Sequence, residues 1–255
     1  PRPLGPGVYS PTMEGRDEEE AAPEKAEPHR WAFKARFRKN SFGWRTQPAV
    51  QRIKQAVKEI QKVSRKDPVY AAEGAVIFLE RLAPAIERVD GSSGVIGDAA
   101  DRAVAELAPV IATAAVDQAT RDSWLERLFE ALGNDRMPYI RQLADYWGDL
   151  CASKETASAW ADRLIEDTRQ ALRPEARYHH GFYHGISACL SALVRAERYD
   201  EVFDIIRERP SSDYAQWGVK ALEAQGKTEE AWYFALKSRF PKASDEEIAR
   251  IREDS

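Results

Sequence analysis

The stretch QPAVQRIKQAVKEIQKVSRKDP, residues 47–68, carries the pattern that decides the fold. Its apolar residues recur at steps of three and four, which places them on one face of a helix and leaves the lysines on another. Asp67 and Pro68 then supply an N-cap and a proline at the first helical position, so a second helix is predicted to begin there. The apolar face of the first helix consists of Val50, Ile53, Val57 and Ile60.

The same spacing continues towards the end of the chain, whereas strand-like alternation is absent. The glycine-rich break at 90–94 separates two helices, and Pro84 is expected to kink or split the helix before it. Ser244 and Glu247 predict a capping box for a short terminal helix. Further helices are predicted around 140–150, 179–197, 199–208, 212–225 and 228–239.

Short connections between successive helices favour antiparallel neighbours. We therefore predict an all-α protein of about ten helices, in which hairpins stack as an α-solenoid and each pair buries its apolar stripe against the next. A closed helical bundle is the second possibility. The apolar runs are too short to cross a bilayer, so no membrane partner is expected.

Charge divides the chain into three parts. Residues 1–28 contain 3 Lys/Arg and 7 Asp/Glu, residues 29–66 contain 12 and 1, and residues 67–255 contain 23 and 34. The first part is rich in proline and glutamate, which predicts a disordered tail. The predicted organisation is an acidic tail at 1–28, a basic aromatic segment at 29–46 and a helical-repeat domain at 47–255.

Two helix-turn-helix units in the last third of the chain share a pattern. The turns are Glu197-Arg198-Tyr199 and Gly226-Lys227, and Val202 and Ala231 occupy corresponding positions in the helices that follow. Residues 180–240 thereby resemble degenerate tetratricopeptide repeats, although positions 202 and 231 lie 29 apart, short of the usual spacing of about 34 residues. The resemblance implies stacked hairpins with a binding surface, and the earlier helices are compatible with HEAT-like pairs.

A second resemblance covers the stretch from His29 to Ile165. It contains Arg36-Phe37-Arg38-Lys39 and Phe42-Gly43-Trp44-Arg45, and it resembles an uncharacterised family of bacterial all-helical proteins. Some members of that family lie beside zinc-binding SWIM modules, whose Cys and His ligands this sequence lacks. The resemblance implies a bacterial cytosolic setting and a binding role, and it implies no activity.

Cations and aromatic side chains alternate in the basic aromatic segment. Cations bind phosphates and aromatic faces stack on the bases of single strands, so the composition fits a nucleic-acid-binding surface. The aromatic positions also fit a packed N-terminal cap whose arginines pair with acidic groups of the same chain, and an acidic protein partner is a third interpretation. The candidate nucleic-acid-binding residues are Arg30, Lys34, Arg36, Arg38, Lys39, Arg45, Lys54, Lys58 and Lys62.

Five tryptophans lie in the helical stripes of the domain, and most of them are expected in the core. One or two that line a concave groove would be good anchors for a peptide. The candidate partner-binding residues are Trp217, Trp232 and Tyr183.

Histidine and cysteine residues offer little for catalysis. His180 and His184 are spaced for one helix face, as zinc ligands can be, but neither the HExxH pattern nor a suitable third ligand accompanies them. Cys151 and Cys189 are expected to be buried thiols in a reducing compartment. We therefore expect no cofactor and no metal, and an enzyme would need a pocket that gathers both histidines and an acid.

These patterns predict a cytoplasmic, non-enzymatic helical-repeat scaffold that binds a protein or peptide partner. The alternative is a nucleic-acid-binding protein that uses the basic residues between 30 and 66. The oligomeric state is open.

Overall fold

A computed structural model describes residues 29–173, 184–208 and 212–248 of the 255-residue chain. Contacts divide the chain into two units, Pro1–Arg30 and Trp31–Ser255, and the second unit contains all the helices below. Residues 31–46 lie in the same unit as the helices. The predicted disordered tail lies outside the described residues.

Within the described residues, all regular structure is helical, which confirms the all-α prediction. Between the fourth and fifth α-helices lies a 3-10 helix, Arg141–Tyr146. The α-helices are α1 Thr46–Ser64, α2 Pro68–Ile86, α3 Val95–Ala112, α4 Gln118–Gly133, α5 Trp147–Leu150, α6 Lys154–Leu172, α7 Gly185–Arg195, α8 Tyr199–Glu208, α9 Ser212–Ala224 and α10 Thr228–Arg239. A short helical turn at 245–248 follows.

Local capping signals define several helix ends as predicted. Asp67 accepts a hydrogen bond from the Tyr70 amide at the start of α2. At the terminal turn, the Ser244 amide donates to Glu247 and the Glu247 amide donates to Ser244 Oγ, which is a complete capping box. Each cap satisfies amide groups that have no partner within the helix, so it fixes where the helix begins.

Two predicted elements differ from the structure. Pro84 does not split α2, because the helix continues through it and ends two residues later at Ile86. Pro84 has no amide hydrogen to donate. Because only two helical residues follow it, the missing hydrogen bond does not divide the helix. The stripe at 140–150 forms a 3-10 helix followed by the four-residue α5, although Ile140, Leu143 and Leu150 are all buried as the stripe predicts.

The odd-numbered helices form a row in which each contacts the next, from α1 through α3, α5 and α7 to α9. Large apolar side chains pack between the helices, and Phe129 of α4, Trp147 of α5 and Trp160 of α6 form a cluster of edge-to-face and tilted rings. Gly148 permits close approach of α7, because a Cβ there would overlap the Ser191 carbonyl. One apolar core therefore runs through the row.

A buried arginine ties three helices together at the middle of the row. Arg121, on α4, is 4% exposed and donates to the carbonyls of Ile111 and Ala114 at the end of α3 and to that of Leu150 on α5. These carbonyls lie at or just beyond the C-terminal ends of α3 and α5, where the negative end of a helix dipole favours a cation. Arg121 thus has a structural role.

Candidate functional site

Residues 31–45, which we call the N-terminal strap, lie along the groove between α1 and α2. The Ala32 amide donates to Glu59 on α1, and the Asn40 amide donates to the Pro84 carbonyl on α2 at 2.8 Å. Arg81 donates to the carbonyls of Lys34 and Phe37. These bonds hold the strap along much of both helices, so its backbone has a fixed path.

The aromatic side chains of the strap pack into the core. The Phe37 ring contacts those of Phe33, Phe42 and Phe78, and Trp31 stacks on Tyr70 at 5.2 Å between ring centroids. The packed N-terminal cap is therefore the correct interpretation of these rings. The four buried strap aromatics are Trp31, Phe33, Phe37 and Phe42.

Trp44 differs from the other strap aromatics because 71% of its surface is exposed. Its backbone is nevertheless held: the Trp44 carbonyl accepts from the Asp90 amide at 3.0 Å, and the Thr46 hydroxyl donates to the Asp90 carbonyl. A large indole on an anchored backbone is available to stack on another flat group.

The strap cations face solvent. In the part of the chain that the structure describes, none of their side chains forms an ion pair or a hydrogen bond. Pairing of these arginines with the acidic body is therefore not observed among the described residues. The exposed cations of this surface are Lys34, Arg36, Arg38, Lys39 and Arg45.

The lysines of α1 lie on a different side of that helix. At about 100° per residue, Lys54, Lys58 and Lys62 project roughly 100°, 140° and 180° away from the core-facing Ile53. Arg52 and Glu59, which contact the strap, lie about 100° to 120° from Ile53 in the opposite direction. The basic residues that the sequence predicted as one surface therefore form two: the strap cations and the lysines of α1. Arg30 is exposed and belongs to the other unit of the chain.

A groove of about 710 Å³ lies at the other end of the row, where α8, α9, α10 and the terminal turn meet. We call it the C-terminal groove. Its apolar lining includes Phe203 and Phe234, whose rings meet edge to face at 6.0 Å, and Leu222. Phe234 packs against Gly218 on α9, where any Cβ would overlap its ring. The groove therefore has an aromatic floor.

Acidic side chains dominate the charged lining of the C-terminal groove. Lys227 is the single cation among the described residues that line it. The Tyr233 hydroxyl and Lys237 both donate to Asp245, which lowers the pKa of that carboxyl below its ordinary value of 3.8. The acidic lining residues are Asp200, Glu229, Glu230 and Asp245.

The predicted partner-binding residues occupy three different situations. Trp217 is 1% exposed, so it belongs to the core and offers no surface to a partner, contrary to the prediction. Trp232 is half-buried and lines the C-terminal groove. Tyr183 lies outside the described residues. Phe203 and Phe234 were missed because their apolar spacing is that of ordinary core residues.

The two cysteines and His184 are the candidate catalytic groups that the described residues include. Burial raises the pKa of Cys151 to about 12 and that of Cys189 to about 11, which is opposite to what a nucleophilic thiol needs. Burial and the nearby Arg141 guanidinium lower the pKa of His184. His180 lies outside the described residues, and among those described no group of three His, Cys, Asp or Glu side chains could hold a metal ion.

Several polar side chains form a cluster around Arg141, and the sequence did not indicate this cluster. Burial raises the pKa of Asp145, against the opposing effects of a Ser187 hydrogen bond and the charges of Lys220 and Arg141. Burial likewise raises the pKa of Asp101, which also feels Arg141. These residues come from α3, the 3-10 helix, α7 and α9, so only the packing of the row brings them together.

Comparisons with protein-family models, with curated proteins and with solved structures gave no match to this chain. None of the described helices combines the length and the apolar character needed to cross a membrane.

Proposed function

We propose that this protein is a non-enzymatic helical scaffold that binds a short segment of a partner protein in the C-terminal groove. The observation that carries this proposal is the groove itself: about 710 Å³ with an aromatic floor and an acidic rim. Binding sites combine apolar walls with a few polar groups that fix orientation.

The order of helix contacts supports a solenoid-like interpretation of the fold. Each odd-numbered helix from α1 to α9 touches the next, as helices do when hairpins are added one after another. α10 packs against α9 and bonds to the terminal turn, and Ala231 is its one buried residue.

The lining of the groove indicates the chemistry of the partner. Apart from Asp245, which already pairs with Lys237, three lining carboxylates against one lysine favour a cationic segment, and the aromatic floor favours an apolar side chain within that segment. We propose a peptide in which a large apolar residue is flanked by Lys or Arg.

The environment of the two thiols supports the non-enzymatic part of the proposal. Both thiols are buried with raised pKa values, so neither is a ready nucleophile. Their unpaired state also agrees with the reducing, cytoplasmic setting that we propose.

Peptide-display selection on the full chain tests the proposal. We expect enriched sequences that place an apolar residue between cations and bind with micromolar Kd. The double variant Asp200→Lys/Glu230→Lys should weaken their binding at least 10-fold, because it reverses charge at the rim. Trp232→Ala should also weaken it.

A matched control is Glu166→Lys/Asp167→Lys, which makes the same change in net charge on the exposed side of α6. It should leave the Kd within about twofold, since rim contacts act locally at moderate salt. Selection of no sequence, or equal weakening by both double variants, would overturn the proposal. Circular dichroism checks that every variant is folded.

A further inference from the structure

The N-terminal strap presents cations that have no side-chain partner among the described residues. Lys34, Arg36, Arg38, Lys39 and Arg45 are all exposed, and within the described ranges their side chains form neither ion pairs nor hydrogen bonds. Residues 67–255 are by contrast strongly acidic. A polyanion would therefore be attracted to the strap and repelled by most of the remaining surface.

These cations stand on a backbone that is already ordered. The Ser41 hydroxyl donates to the Arg36 carbonyl at 2.7 Å and accepts from the Arg38 amide at 3.2 Å. Asn40 and Gly43 adopt positive φ angles of 58° and 66°, so the backbone turns at each of these residues. Binding then orders side chains only, so less conformational entropy is lost.

Trp44 adds a feature that charge alone does not explain. Four strap aromatics are buried, whereas this one stays 71% exposed next to Arg45 with its carbonyl bonded to the Asp90 amide. Exposing so much apolar surface costs free energy unless a partner covers it. A nucleotide base is flat and stacks on an indole, and the phosphate of the same nucleotide binds a neighbouring cation.

We propose that the N-terminal strap is a binding site for single-stranded nucleic acid, with phosphates on the strap cations and an unpaired base on Trp44. This site is separate from the C-terminal groove, so it goes beyond the proposed function. Duplex is disfavoured because its bases are already stacked, and an acidic protein is disfavoured because, unlike a nucleotide, it does not join a flat ring to every anionic group. The strap follows α2 from Gly74 to Pro84, about 15 Å, which accommodates a few nucleotides.

Fluorescence anisotropy with labelled 12-nucleotide oligouridine and oligothymidine measures the binding. We expect binding at 50 mM KCl that weakens about 50- to 130-fold at 200 mM, as four or five neutralised phosphates predict. A duplex of equal length and a polyglutamate peptide should bind at least 10-fold more weakly than the single strands. Preference between the two oligonucleotides tells whether RNA or DNA is favoured, and either result supports the site.

Two triple variants with equal change in net charge locate the site. Arg36→Glu/Arg38→Glu/Lys39→Glu should weaken binding at least 10-fold more than Lys54→Glu/Lys58→Glu/Lys62→Glu, because the α1 lysines lie on another side of the helix. All six side chains are exposed, so both proteins should fold, as thermal melting verifies.

Trp44→Ala separates stacking from charge. It should weaken binding roughly 5- to 100-fold without changing the salt dependence, and Trp44→Phe should recover part of the loss. The proposal is wrong if no binding occurs at 50 mM KCl, if both triple variants weaken binding equally, if Trp44→Ala binds like the native protein, or if polyglutamate or duplex binds as tightly as the single strands.

Discussion

The two ends of the helical row are both rich in aromatic residues but use them in opposite ways. At the N-terminal end the strap buries four of its five aromatic rings between α1 and α2. At the C-terminal end Trp232 and Phe234 are half-buried, while Tyr233 and Phe240 are 39% and 42% exposed. The first end is closed by its own chain, and the second offers an apolar surface to a partner.

Backbone shape explains this difference. The strap is irregular, so its rings can turn towards one groove, and Gly74 leaves space for the Trp31 indole. α10 is a regular helix in which neighbouring residues point about 100° apart. Trp232, Tyr233 and Phe234 are consecutive, so they cannot all face the core.

The largest expected difference between the two ends is in the free energy of unfolding that is lost when one aromatic ring is removed. Phe37→Ala should lower the free energy of unfolding by about 3–5 kcal/mol, because it removes a buried ring from a cluster. Phe240→Ala should cost less than about 1 kcal/mol, since that ring is partly exposed. Urea unfolding measures both, and equal costs would contradict the contrast.

The core at the middle of the row should stay inaccessible to a thiol reagent, whichever end of the row is mutated. Cys151 and Cys189 are buried, and raised pKa values of about 12 and about 11 reduce their thiolate content. Each pKa unit lowers the thiolate fraction tenfold at neutral pH, so a disulfide reagent should react at least about 100-fold more slowly than in urea. Phe240→Ala should leave this rate unchanged; rapid native labelling would show that the core opens.

Two glycines give a smaller, matched test. In Gly74→Ala the new Cβ overlaps Trp31, which Tyr70 stacking holds in place, so we expect a loss of about 1–3 kcal/mol. In Gly218→Ala it overlaps the half-buried Phe234 ring, which can move, and the gain in helix propensity offsets the strain to within about 1 kcal/mol. Thermal melting compares them, and the opposite ranking would contradict a tightly packed strap.

The smallest expected effect is a pH-dependent release of the terminal turn. Hydrogen bonds from Tyr233 and Lys237 lower the pKa of Asp245, so the charged carboxylate stabilises the docked turn above the ordinary value of 3.8. This stabilisation is lost as pH falls through the lowered pKa. The Ile248 methyl signals should shift in that acidic range in the native protein, and Asp245→Asn should show the shifted signals at neutral pH. Identical titration of both proteins would contradict this.

Local sequence signals predicted the helices well where a short motif suffices. Asp67-Pro68 and the Ser244–Glu247 box act within one turn, so their side chains find their partners without help from the rest of the chain. The sequence predicted that Pro84 would kink or split its helix, but the helix does not split. The outcome depends on how close the proline lies to the end of the helix, and the sequence pattern did not define that end. The likeness to tetratricopeptide repeats stays a prediction.

Apolar spacing, capping residues and charge determined by themselves that the chain is all-α and that a basic segment precedes an acidic body. Only the tertiary structure decided which aromatic rings face inward, that Trp217 is core while Trp44 is exposed, and that the basic residues form two surfaces. It also joined Asp200, Phe203 and Ile248 into one groove. The physical reason is that helix formation depends on neighbours a few residues apart, whereas burial depends on helices that meet from distant parts of the chain.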